Sequence, residues 1–73
     1  MKSLTTQLKE ALKMNGYHDW GNTFRKVDSY KEKSFKFLGH GWVEVYERQY
    51  PATEGWSQFN THVGHALENH VGF

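Results

Sequence analysis

Seventeen residues in the middle of the chain, SFKFLGHGWVEVYERQY at positions 34–50, leave little choice but a β-hairpin. Side chains alternate between the two faces of a strand, so Phe35 and Phe37 share one face, as do Val43 and Val45 beyond the turn. Between them Gly39-His40-Gly41 offers two residues that accept positive φ, as a tight hairpin turn requires. If the four apolar residues face covering helices, Trp42, Tyr46 and Tyr50 point to the opposite side. Pro51 then ends the second strand, because it cannot donate to a ladder. Upstream, FRKVDSY supplies a first strand with imperfect alternation, YKEKS reads as a charged turn and YHDWGNT as a loop.

Helices flank this core. Leu4, Leu8, Ala11 and Leu12 recur at the spacing of one helical face. Ser3 is a suitable N-cap, Lys9 and Lys13 lie toward the negative end of the dipole, and Asn15-Gly16 supplies a stop. These signals predict a helix over 3–15 that covers a sheet. Residues 56–71, projected at about 100° per residue, place Trp56, Phe59, Val63, Ala66, Leu67 and Val71 in one arc with His70 inside it. His62, His65 and Asn69 fall on the polar edge. The expected fold is α+β in the order α-β-β-β-α: helix 3–15, an antiparallel meander near 24–50, and helix 56–70, with both helices on one face of a small sheet.

At 73 residues without cysteine, the chain forms one domain, 1–73, with neither a disulfide nor a thiolate zinc cage. A core of this size hides only about 60% of the surface that the unfolded chain exposes. The opening MKSLTTQLKEALK lacks the apolar run of a secretory signal, and no stretch approaches a membrane span. The expectation is a cytoplasmic monomer. Aromatic residues make up 16% of the chain, three of them tryptophan, more than so small a core easily hides. Charge is uneven: residues 1–36 balance at +4 and residues 37–73 at −3, for a net +1. That total argues against wholesale electrostatic attachment to nucleic acid but permits one local basic face.

Chemistry-bearing patterns are sparse. His62 and His65, three apart on the expected helix, supply at most half of a tetrahedral zinc shell, and His70 points elsewhere. No metal site or other cofactor is expected. His40 between two glycines offers a loop histidine that a substrate could approach, yet turn chemistry alone explains the glycines, and no second group orients the ring. Neither GxxxxGK[ST] nor GxGxxG occurs. A non-enzymatic role is expected. Arg25, Lys26, Lys31, Lys33 and Lys36 cluster within twelve residues. Beside Tyr30 and Trp42 they suggest a stripe that attracts phosphates next to rings on which bases stack. The alternative is a solvated face whose lysines blunt an edge strand.

The order helix, three strands, helix is similar to that of the double-stranded RNA-binding domain over the whole chain. That family opens its second helix with a lysine-rich phosphate clamp, whereas EGWSQFNTHVGHALENH contains neither lysine nor arginine, so the family's RNA contact does not carry over. Small RNA-cleaving toxins of similar topology set their histidine after Gly-Ser, which Gly39-His40-Gly41 does not match. In length, lack of cysteine, aromatic richness and absence of catalytic apparatus, the chain resembles the small host-takeover proteins of bacteriophages. It is similar in character to the RNA polymerase-binding transcription regulators of Xanthomonas phages. That resemblance implies binding to bacterial RNA polymerase, with shut-off of host promoters and antitermination. From the residues themselves, Trp42, Tyr46 and Arg48 on the outer sheet face are the expected protein anchors, with Lys31, Lys33 and Lys36 as steering charges. The alternative function is nucleic-acid binding through Arg25, Lys26, Lys31, Lys33 and Lys36.

Overall fold

Helix α1, Leu4–Met14, begins where the sequence places it: the Ser3 side chain accepts a hydrogen bond from the Thr6 N–H at 3.1 Å. It ends at Asn15, the C-cap, whose N–H donates to Ala11 O and Leu12 O, and Lys13 lies in its last turn. The computed structural model describes residues 1–49 and 56–71. Tyr50 and Pro51, expected to extend and end a strand, lie outside the described residues.

After α1 the chain forms five strands: β1 His18–Trp20, β2 Thr23–Val27, β3 Lys31–Gly39, β4 Trp42–Gln49 and β5 Trp56–His62, followed by α2 Val63–Asn69. Every pairing is antiparallel and between neighbours in sequence, giving one sheet ordered β1-β2-β3-β4-β5. The α+β class and the two terminal helices agree with the sequence reading, but the meander has five strands where three are expected.

Three stretches differ from the sequence reading. YHDWGNT is not all loop, since His18–Trp20 form β1. YKEKS is not a turn, since Lys31 already opens β3. The reversal lies one step earlier, where the Asp28 carboxylate accepts from the Tyr30 and Lys31 N–H groups at 2.7 and 2.9 Å. This Asx-type turn holds the Asp28 carboxyl below its ordinary pKa, chiefly through those two backbone hydrogen bonds. The largest correction is at residues 56–62, which are strand rather than helix. Chain direction changes at Val63, whose N–H donates to Gly41 O at 2.9 Å, and α2 keeps only seven residues.

Register shows what each face carries. Toward the helices, β2 presents Phe24, β3 presents Lys33, Phe35 and Phe37, and β4 presents Val43, Val45 and Glu47. Phe24, Phe35, Val43 and Val45 join Leu8 and Leu12 of α1, Tyr17, and Val63, Ala66 and Val71 in one buried cluster. Tyr17 meets Phe35 edge-on at 5.5 Å and donates its hydroxyl to Val71 O at 3.2 Å, tying the start of the sheet to the end of α2. Burial, with the Glu47 carboxylate second, raises the Tyr17 pKa. The helices approach closely at Gly64, where a Cβ would sit 3.3 Å from Leu4 Cδ1.

The β3–β4 connection is tighter than the sequence required. Gly39, His40 and Gly41 all have positive φ, at +91°, +54° and +82°. His40 takes a left-handed conformation that histidine tolerates better than most side chains. A register shift between Phe37 and Gly39 leaves Leu38 as the extra residue and lets Gly39 pair with Trp42.

Candidate functional site

Both helices cover one face of the sheet, and the other face carries the candidate site. Alternation along the five strands sends His18 and Trp20 from β1, Arg25 from β2, Lys36 from β3, Trp42, Tyr46 and Arg48 from β4, and Trp56 and His62 from β5 to this outer face. All three tryptophans of the chain therefore lie on it, with Trp20, Trp42 and Trp56 exposed by 67, 43 and 56%. Large rings so placed contribute nothing to the core and are available to a partner.

The rings are organised by cross-strand pairing. Trp42 lies opposite His62 and meets it edge-on at 4.1 Å. Tyr46 and Trp56, diagonal neighbours, stack at 6.4 Å with their planes 25° apart. Together with Arg48 and Gln58 they line a shallow open cleft of about 400 Å³. At the far side of the sheet His18 and Trp20 lie 5.1 Å apart. Arg25 donates from Nε to the Glu32 carboxylate at 2.7 Å, and Lys36 stands opposite Glu44. The face thus mixes aromatic rings with both signs of charge.

The expected anchors Trp42, Tyr46 and Arg48 do share the outer face, and Trp20 and Trp56 join them. The sequence reading offers neither, because YHDWGNT reads as a loop and residues 56–62 as part of a helix, whereas they form β1 and β5. The basic run does not form one stripe. Arg25 and Lys36 point outward, whereas Lys26, Lys31 and Lys33 are on the helix-covered face. Lys26 donates to Asn15 O at 2.8 Å, a cation set at the negative end of α1. Lys33 is only 7% exposed, 3.7 Å from Glu47 and 5.6 Å above the Phe35 ring. Burial lowers its pKa, with the Glu47 carboxylate opposing that shift. Of the three expected steering lysines, only Lys36 belongs to the outer face.

The histidines separate. His62 ends β5 on the outer face, so it does not share a helix edge with His65. His65 and Asn69 do lie together, with the Asn69 amide 3.3 Å from the His65 ring nitrogen. His40 sits at the exposed hairpin tip. Among the described residues no three His, Cys, Asp or Glu side chains are grouped to hold a metal ion.

His70, the C-cap of α2, is half-buried, with its ring 5.2 Å from Phe59 and 5.3 Å from His65. Burial is the main cause of its lowered pKa, aided by Lys33 and His65 and opposed by Glu47. Its folded pKa lies below the unfolded value of about 6.5, so protonation favours the unfolded chain. The stabilisation is fully present above that value, is lost as pH falls from it through the folded pKa, and levels off below. An NMR titration should give a His70 midpoint below 6.5; a midpoint at or above it would contradict this packing.

No protein-family model, curated protein or solved structure matches this chain. Among the described residues no helix is long and apolar enough to cross a membrane.

Proposed function

We propose that this chain is a non-enzymatic binding domain that docks its outer sheet face onto a larger protein, bacterial RNA polymerase in the reading that the phage resemblance suggests. One observation carries the docking proposal: all three tryptophans stand exposed on the sheet face opposite the helices. Tryptophan, tyrosine and arginine are the residue types that dominate binding energy at protein interfaces; Tyr46, Arg48 and Trp56 form one group of them, with Trp42 on the same face beyond the Glu44–Asn60 pair. Lys36 and Arg25 at the margin would steer approach more than they hold the complex. On this reading the protein acts in the cytoplasm of a bacterial host, altering promoter use and termination by occupying a polymerase surface.

Direct binding of nucleic acid draws less support. Three members of its proposed site, Lys26, Lys31 and Lys33, are on the helix-side face, leaving Arg25 and Lys36 beside the tryptophans.

The test is a binding series with purified bacterial RNA polymerase and, separately, a generic single-stranded RNA, at two salt concentrations. Trp42→Ala and Tyr46→Ala should each weaken polymerase binding by about 2 kcal/mol or more, roughly thirtyfold. Lys36→Gln should mainly slow association and reduce its salt dependence. Polymerase binding that is absent, or indifferent to both aromatic substitutions in folded variants, would refute the proposal. Tight RNA binding with a steep salt slope would favour the nucleic-acid alternative instead.

A further inference from the structure

The last strand of the sheet has a property that its exposure alone does not explain. β5 reads Trp56-Ser57-Gln58-Phe59-Asn60-Thr61-His62, and among the described residues no strand pairs with its outer edge. Natural edge strands are usually blunted by shortness, lysine, proline, inward charge or a bulge. The opposite edge follows that rule, since β1 has three residues and carries Asp19, 3.6 Å from Lys13. β5 has seven residues, no charge, no proline and an unbroken register with β4.

Its side chains are also chemically palindromic about Phe59. Trp56 corresponds to His62, two aromatic rings; Ser57 to Thr61, two hydroxyls; Gln58 to Asn60, two amides. From this symmetry we infer that β5 pairs antiparallel with β5 of a second copy, about a twofold axis through Phe59, to form one continuous ten-stranded sheet.

In that register every cross-strand pair is favourable. Ring faces ring, hydroxyl faces hydroxyl, amide faces amide, and no like charges meet. The Trp56–His62 pairing repeats between copies the ring contact that Trp42 and His62 make within one. Phe59, 40% exposed on the helix side beside His70, would meet its symmetry mate at the centre. An isologous contact of this kind requires a patch complementary to itself, which a palindromic strand provides. A second copy therefore fits this edge better than an unrelated strand, and the monomer expected from sequence gives way to a homodimer. The two outer faces would continue into one another across the joint. This inference is independent of the partner proposed for that face.

Sedimentation of the parent chain over a concentration series should show twice the 8.6 kDa chain mass at the upper end. Gln58→Lys with Asn60→Lys places lysine opposite lysine twice in the dimer and should raise its dissociation constant about tenfold or more. The matching Glu pair should do the same, and mixing the two variants should restore a heterodimer. That restoration also shows that both variants fold. Because the chain has no cysteine, Phe59→Cys reports the register by oxidising to a covalent dimer. A parent that stays monomeric up to about a millimolar overturns the inference. So does a dimer that is indifferent to both charge pairs, or one in which Phe59→Cys does not cross-link.

Discussion

Phe35→Ala should leave most of the molecules unfolded at 25 °C. The ring is fully buried, lies opposite Val45 in the sheet and meets Tyr17 edge-on at 5.5 Å. Truncating a buried phenylalanine costs about 3–5 kcal/mol, the lost transfer energy plus the cavity left behind. A core in a chain of this size rarely supplies more than roughly that amount. Far-UV circular dichroism and urea unfolding read the outcome directly. Phe35→Leu, which keeps most of the volume, should cost less than about 1.5 kcal/mol and fold. If alanine costs no more than leucine, the ring is not packed between Tyr17 and the sheet as described.

The second large effect involves a charge. Glu47→Gln should destabilise the domain by about 2–3 kcal/mol, because it removes a negative charge 3.7 Å from the buried Lys33 ammonium. The figure is below the roughly 3–5 kcal/mol for breaking a fully buried pair because Glu47 is itself a third exposed. Lys33→Met should be neutral or mildly stabilising, since the aliphatic stem already lies against Phe35 and the substitution removes the need to bury a cation. The two variants thus move in different directions although they disrupt the same ion pair. Equal losses in urea titrations would show that Lys33 contributes by attraction rather than tolerating its burial.

These residues also show how much the sequence disclosed. Alternation alone puts Lys33, Phe35 and Phe37 on one face, so the burial of Lys33 was readable once β3 was known to begin at Lys31. The lysine-rich YKEKS concealed that start, while the Asp28 turn that sets it needed only one carboxylate. Helix α1 was legible because its cap, apolar spacing and stop all agree. The β3–β4 hairpin was legible for the same reason. Residues 56–62 were not, because Trp56, Phe59 and Val63 recur at helical spacing, whereas as a strand the same stretch puts Trp56 and Phe59 on opposite faces. Pairing with β4 decides between them, and that is a tertiary interaction. The same error hid Trp56, so only part of the aromatic face could be anticipated. Trp42, Tyr46 and Arg48 were placed correctly because the hairpin that positions them was.

The order of the strands in the sheet is their order in the chain, and this bears on how the molecule assembles. Each strand finds its neighbour across a short connection, so the entropy of closing each loop is small and pairing can spread outward from β3–β4. Docking of α1 on α2 is different, because it joins segments from opposite ends of the chain. The Tyr17 hydroxyl and Val71 carbonyl that seal this closure are 54 residues apart. A seven-residue helix is too short to persist alone in water. α2 therefore becomes helical only as it meets α1, and it is the first element to come loose when the two part. The sheet can form before its chain ends meet, and breathing at that junction would uncover Phe59 and His70 while leaving the tryptophan face in place.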